Sequence, residues 1–247
     1  MARAHQLRRS REAARLGEHH HRDVTGGAAR AAVFGVSDGL VSNICVILGV
    51  AGGAHYSAGF VRLAGLVSMV GGAISMALGE YVSMTAQTEL LEAELEMERT
   101  ELKRRPELER RELAQIYRSR GVDPTLADSL ATEMMRDPEL ALETHAREEL
   151  GINPAALGSP PQAAVSSFVS FGVGALVPLV PWFFRGGRGS VVASLVLGAF
   201  AAVIVGVALS RFTGRSAVRS ALRQLMLSGA AAAASFGIGS LFGVNVP

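Results

Sequence analysis

The chain has 247 residues, 49% of them hydrophobic, and its mean hydropathy of +0.29 is too high for an ordinary soluble domain. Its single cysteine excludes a disulfide framework and a cysteine-based metal site. The net charge of +2 conceals a partition, because residues 89–149 hold 17 of the 22 acidic residues and only ten basic ones. We therefore expect an all-α membrane protein with a separate acidic segment, no enzymatic activity, no prosthetic group and no nucleic-acid partner.

Residues 1–30 are rich in arginine and contain the run His19, His20 and His21. Positive charge beside a membrane span is typical of the cytoplasmic side, so we predict a basic cytoplasmic tail. The histidine run is interpreted as part of this solvated tail, with loose metal capture as the less favoured alternative.

The first predicted span covers residues 31–53 and carries one charge, Asp38. An unpaired carboxylate inside a membrane is costly, so Asp38 should face a polar cavity, a metal or a proton path. Gly35 and Gly39 are four residues apart and would let another helix approach closely.

The second span begins at Val61, completes a transmembrane segment ending near residue 85, and continues without proline as a charged helix to about Lys103. Its membrane half places thioethers and a carboxylate on one helical face, at Met69, Met76, Glu80 and Met84. Such a face indicates a path for a soft-to-borderline divalent metal, although a single methionine is more often a packing residue. If spans one and two are antiparallel, the path residues Asp38, Met76 and Glu80 reach similar depths.

Residues 86–160 form the predicted insert, an acidic helical segment on the cytoplasmic side. Its helices should break at Pro106 and restart at two Asp-Pro pairs, Asp123-Pro124 and Asp137-Pro138, which supply an N-cap followed by proline. Helical spacing and a hairpin would bring together one set of candidate metal ligands: Glu98, Glu101, Glu109, Glu112, His145 and Glu149.

Carboxylates with an imidazole suit Fe²⁺, Mn²⁺ or Zn²⁺, and the pattern loosely echoes the di-iron helical bundles. A solvated charged helix explains the same spacing, with Arg99, Arg110 and Arg111 as salt-bridge partners for the glutamates. Spacing alone slightly favours this solvated alternative.

Residues 161–247 contain three further spans, near 162–184, 190–210 and 222–242. Two prolines, Pro178 and Pro181, should kink the third span near its far end, and Trp182 fits an interfacial anchor. The loop between the last two spans holds four arginines, Arg211, Arg215, Arg219 and Arg223. The positive-inside rule then places the N-terminus inside and the C-terminus outside.

Several motifs together resemble the vacuolar iron transporter family over nearly everything from Asp23 onward. They are residues 34–42 (FGVSDGLVS), 75–83 (SMALGEYVS), 148–151 (EELG) and 167–172 (SFVSFG) with Pro178. The resemblance implies five membrane helices per subunit, a homodimer using the small-residue faces of spans one and two, and proton-coupled export of Fe²⁺, sometimes Mn²⁺. It also assigns the intramembrane aspartate and methionine to Asp38 and Met76, and the insert glutamates to Glu98, Glu101, Glu109, Glu112 and Glu149.

The chain departs from the plant-type pattern at four positions. His145 and Ala146 stand where that pattern has two methionines, so an imidazole replaces one soft ligand. Ser68 and Gly72 replace a glutamate and a methionine further along the path, where Met69 could partly substitute.

The sequence thus predicts Fe²⁺/H⁺ antiport across a membrane, most simply a bacterial plasma membrane, with a vacuolar membrane as the alternative. The rivals are a manganese exporter of the same architecture, a membrane-bound di-iron oxidase or storage protein, and a metal sensor without flux. The di-iron oxidase or storage protein would leave Asp38 without a role, and the sensor predicts metal binding but no flux.

Overall fold

The computed structural model describes residues 27–53, 57–151, 153–154 and 158–242, and no strand occurs among them. Within these residues, nine helices follow one another along the chain. They are α1 (Gly27–Gly53), α2 (Ala58–Arg104), α3 (Pro106–Ser119), α4 (Pro124–Met134), α5 (Pro138–Glu148), α6 (Pro160–Leu179), α7 (Pro181–Phe184), α8 (Arg188–Thr213) and α9 (Ala217–Phe242).

Five of these helices, α1, α2, α6, α8 and α9, are long and apolar enough to cross a membrane, which agrees with the predicted five spans. The first boundary differs from the prediction. Helix α1 begins at Gly27, so Arg30 belongs to the helix and not to the basic tail. The remainder of that tail, including the histidine run, lies outside the described residues.

Helix α1 lies at the centre of the bundle and packs most extensively on α6. The two backbones touch because the contact is made by glycine: a Cβ on Gly39 would lie 2.1 Å from the carbonyl oxygen of Phe171, and one on Gly174 would lie 2.2 Å from that of Val36. The close approach predicted for the Gly35 and Gly39 face is therefore made within the chain. Helix α6 covers this face of α1 within one chain, and the homodimer stays a prediction.

Two side-chain contacts show that the start of α1, the start of α9 and the middle of α2 lie at the same end of the bundle. Near the start of α9, Gln224 Nε2 donates to Ser37 Oγ at 2.8 Å, and near the start of α1, Arg30 Nη2 lies 3.6 Å from Glu80 Oε2 on α2. The arginine-rich turn between α8 and α9 thus lies at the end of the bundle from which α2 continues into the insert.

The third span is interrupted at its far end, as predicted: α6 ends at Leu179, Val180 keeps a helical backbone conformation, and the short α7 begins at Pro181. Helix α8 supplies partners for this break: Ser194 Oγ donates to the Pro178 carbonyl at 2.6 Å. Trp182 Nε1 donates to Ser194 Oγ at 3.0 Å, and the indole is only 1% exposed. The interfacial anchor predicted for Trp182 is wrong, because this side chain completes the core of the bundle.

The insert is built on α2, a single helix of 47 residues that runs from the bundle through Glu98 to Arg104. The two predicted Asp-Pro starts are confirmed, since Asp123 caps α4 and Asp137 caps α5 by accepting hydrogen bonds from backbone N–H groups of the first turn. Helix α5 packs back on α2, and α3 contacts both of them. Three helices that the sequence separates by proline therefore meet around one point.

Candidate functional site

In the membrane-spanning part, Asp38 and Met76 line one groove of about 470 Å³ between α1, α2 and α6. Three serines, Ser42, Ser68 and Ser75, add hydroxyl groups to its lining. Ser42 Oγ donates to Asp38 Oδ1 at 3.0 Å, so the carboxylate retains free acceptor capacity. The side of the groove at Asp38 is open, since the aspartate is exposed although it lies within a span.

Glu80 does not share that groove. It lies one turn further toward the insert, in an adjoining depression of about 270 Å³ lined by Arg30, Met76, Gly79 and Ser83. Its carboxylate is 17% exposed and faces the guanidinium of Arg30. The expectation of one common depth therefore holds for Asp38 and Met76, while Met76 is the side chain that connects the two depressions.

The remaining methionines of this face have packing contacts. Met69, a predicted path residue, packs with Met76 against the core cluster of Ala73, Phe171 and Ala175, and it is not part of the described groove lining. Met84 is 5% exposed and lies against Gly158. Phe171 fills the space beside Gly72, where a Cβ would lie 2.3 Å from its ring. The glycine at this departure from the plant-type pattern thus makes room for a neighbouring aromatic ring.

The second candidate site is a metal cluster formed by Glu98 on α2, Glu109 on α3, and His145 and Glu149 at the end of α5. One ligand atom from each of the four lies within 4.8 Å of all the others. His145 Nδ1 is 3.1 Å from Glu98 Oε1 and 3.5 Å from Glu149 Oε2. His145 is fully buried, and Glu98 and Glu109 are 4% and 6% exposed.

A bound cation fits this cluster on an observation independent of spacing. Glu98 Oε1 is buried with the ionic contact to His145 Nδ1 as its partner, and His145 Nε2, on the other side of the ring, is buried with no hydrogen-bond partner among the described residues, although buried polar atoms are normally satisfied. Carboxylates packed this densely repel one another unless a cation or protons lie among them. Three carboxylates and an imidazole are hard-to-borderline donors, a set that suits Fe²⁺, Mn²⁺ or Zn²⁺.

The pKa shifts of the cluster residues are also consistent with a cation site. Burial raises the pKa of Glu109 above its usual value, and the negative charges of Glu98 and Glu112 add to the shift. Burial also raises the pKa of Glu149, an effect that the contact with His145 only partly offsets. Burial alone would lower the pKa of His145, but its contacts with Glu98 and Glu149 outweigh burial and raise it. The cluster without metal therefore holds its protons up to a higher pH than free side chains do, and a bound metal ion would displace them.

Two of the six predicted ligands, Glu101 and Glu112, stand outside the four-residue cluster. Both are exposed, and they line an open groove of about 700 Å³ together with Glu109. Glu109 therefore belongs to both the buried cluster and the open groove.

The solvated alternative named Arg99, Arg110 and Arg111 as salt-bridge partners for the candidate ligands. Instead, Arg99 pairs with Glu96, and Arg110 pairs with Glu107 and Asp128. These arginines neutralise carboxylates on the outer faces of the insert helices, whereas the cluster carboxylates face inward.

Sequence reasoning missed Arg30, the ion-pair partner of Glu80. The available signal was its position two turns before Asp38 on an uninterrupted helix. Counting it with the arginines of the tail concealed that signal.

The sequence comparisons identify the family of the chain. A sequence model described as the VIT family matches residues 29–240. The chain is 38% identical over 234 residues to the vacuolar iron transporter of Acanthamoeba castellanii, covering 91% of this chain and 83% of that protein. It is 32% identical over 225 residues to vacuolar iron transporter 1 of Eucalyptus grandis, covering 90% of each chain. It is 31% identical over 223 residues to vacuolar iron transporter 1 of Arabidopsis thaliana, covering 90% of this chain and 89% of that one. These relatives are named as transporters and not as enzymes, and the chain belongs to the VIT family.

Proposed function

We propose that this protein exports Fe²⁺ from the cytoplasm across a membrane in exchange for protons, with Mn²⁺ as an alternative cargo. The observation that carries the proposal is the groove in which Asp38 and Met76 lie side by side within candidate membrane spans. Family membership supports it, because the relatives are named iron transporters.

The groove offers the groups that an exchange of metal for protons needs. The Asp38 carboxylate binds either a cation or a proton, and Ser42 holds it in place by one hydrogen bond. The Met76 thioether is a soft donor that favours Fe²⁺ over Mg²⁺ or Ca²⁺. The serine hydroxyls replace part of the water shell that the ion loses on entering.

A second copy of the chain would complete the path. Asp38 is exposed on the surface of the bundle, where contact of a carboxylate with lipid would be costly. On the adjacent face of α2, Gly71 and Gly79 have nothing within 4 Å of an added Cβ, so a partner helix has room to approach. The proposed homodimer therefore uses the open small-residue face of α2 and encloses Asp38 between two subunits.

The insert would collect metal at the cytoplasmic end. It lies at the same end of the bundle as the arginine-rich turn, and arginines favour the cytoplasmic side. Its buried cluster would bind the cation and its exposed glutamates would raise the local cation concentration. We place the protein in a bacterial plasma membrane; a vacuolar membrane is the alternative that the relatives' names favour.

Reconstitution into liposomes tests the proposal. Fe²⁺ and Mn²⁺ uptake is measured in liposomes with an acidic lumen and a trapped pH dye, under a clamped membrane potential. Antiport predicts uptake that is faster with an acidic lumen and that raises the lumenal pH. Uptake without a pH change would show a uniporter, while oxygen consumption with Fe²⁺ and no flux would show an oxidase.

A further inference from the structure

Arg30 and Glu80 form a loose ion pair at the insert-side end of the groove. Their closest charged atoms are 3.6 Å apart, an ionic contact too long for a hydrogen bond. The Arg30 side chain is 59% exposed, whereas Glu80 is 17% exposed. The arginine can therefore leave without disturbing the packing, while the glutamate stays in its depression.

This pair lies where a cation coming from the insert would first meet the bundle. The depression that contains both side chains is also lined by Met76, and Met76 in turn lines the groove of Asp38. A cation moving between the insert and Asp38 along these depressions passes Glu80 before it reaches Met76. The guanidinium is then a positive charge already in contact with the first carboxylate on the route.

We propose that Arg30 is a specificity-determining residue, a tethered cation that occupies Glu80 and that an incoming metal ion must displace. The inference rests on the proposed transport function. Coulomb attraction to a carboxylate scales with the charge of the cation, so at equal distance a divalent ion is attracted twice as strongly as a guanidinium. A monovalent ion is attracted to Glu80 no more strongly than the guanidinium is, and the guanidinium is always present because it is attached to the chain. Arg30 thus admits divalent ions and keeps Na⁺ and K⁺ away from Glu80.

The geometry also gives the displaced side chain somewhere to go. Arg30 is largely exposed already, so it can turn outward into water at little cost. After the cation has moved on toward Asp38, the guanidinium returns to Glu80 and opposes the return of that cation toward the insert.

The test is Fe²⁺ uptake by proteoliposomes at varied Fe²⁺, in potassium chloride and in choline chloride of equal ionic strength. For the wild type we expect the same KM in both salts. For Arg30→Gln we expect a KM several-fold lower than wild type in choline and several-fold higher in potassium than in choline, with kcat little changed. Arg30→Lys keeps the tethered charge and should behave as the wild type does.

Two further variants separate this role from a structural one. Arg62→Gln removes an exposed arginine on α2 whose Nε donates to the nearby Ala58 carbonyl, and it should match the wild type in both salts. Glu80→Gln should raise the KM equally in both salts. Adding Arg30→Gln to it should have no further effect and should show none of the salt difference expected for Arg30→Gln alone, because Arg30 acts through Glu80.

A transporting Arg30→Gln variant with wild-type KM in both salts would overturn the inference and leave the proposed function intact. If that variant fails to reach the membrane, an unchanged KM in Glu80→Gln would overturn it equally. A wild-type protein that moves no metal would overturn the proposed function and this inference together.

Discussion

The membrane groove and the insert cluster use similar residue types in opposite surroundings. In the groove, Asp38 is exposed and accepts one hydrogen bond from Ser42. In the cluster, His145 is fully buried and four ligand atoms lie within 4.8 Å of one another. A carboxylate with few fixed partners can release a cation quickly, whereas a dense buried set holds it. The difference teaches that burial and the number of fixed neighbours, and not the carboxylate alone, decide how tightly such a site can hold a cation.

Asp38→Asn should separate the two regions most sharply. Asparagine is close to isosteric but cannot exchange a proton for a metal, so Fe²⁺ flux should fall to the level of protein-free liposomes. Metal binding by the insert should be unchanged, as measured by calorimetry on the full chain in detergent. Flux at the wild-type rate would remove Asp38 from the mechanism.

Glu98→Gln should have the opposite pattern: it should weaken metal binding by the insert strongly and affect transport less. Of the two carboxylates that contact His145, Glu98 is the nearer, at 3.1 Å against 3.5 Å for Glu149. We therefore expect the Mn²⁺ affinity of the full chain to fall at least about tenfold. Transport should slow at low metal and recover at high metal, because the insert feeds the path without forming it. Unchanged affinity in calorimetry would restore the interpretation of these helices as a solvated charged face.

The pH dependence of stability should distinguish the metal-free from the metal-bound cluster. Glu109 and Glu149 have folded-state pKa values above 4.5 and His145 one above 6.5, so their contribution to stability is present in acid and is lost as the pH rises through the raised values. Metal requires the deprotonated groups, so the increase in melting temperature caused by Mn²⁺ should be largest near neutral pH and should shrink as the pH falls. A metal-induced increase that is independent of pH would show binding elsewhere.

Replacing the exposed pair Glu101 and Glu112 together with glutamine should have a smaller effect. These side chains border the open groove and do not belong to the buried cluster, so we expect a few-fold loss of Mn²⁺ affinity, mainly at low ionic strength. A loss as large as that of Glu98→Gln would make them direct ligands.

Glu96→Gln should have the smallest effect. Glu96 is exposed and pairs with Arg99, so its removal should change stability by no more than about 0.5 kcal/mol and leave metal affinity as it is. It is the matched control for Glu98→Gln on the same helix. An effect on metal affinity would extend the site beyond the cluster.

The sequence predicted the five spans, the long second helix and the two Asp-Pro helix starts, because each follows from local composition or capping chemistry. It also gave a set of six insert ligands, but it could not show that Glu98 and Glu109 are buried while Glu101 and Glu112 are exposed. That choice depends on how α5 packs on α2, a long-range contact that helical spacing does not encode. The same limit explains Trp182, whose amphipathic side chain suits both an interface and a core that offers Ser194 as a partner.

Helix α2 connects the groove to the cluster as one continuous rod without proline. The 22 residues from Met76 to Glu98 correspond to about 33 Å of helix, several times the Debye length of about 8 Å, so the two sites do not sense each other's charge directly. A rod of that length is instead a lever: a tilt of about 5° at the groove moves the far end by about 3 Å. Because Glu98 is fixed to this lever while Glu109 is on another helix, such a tilt would open or close the cluster. Under the proposed function, opening of the groove and release of metal from the cluster would then both result from one tilt of α2.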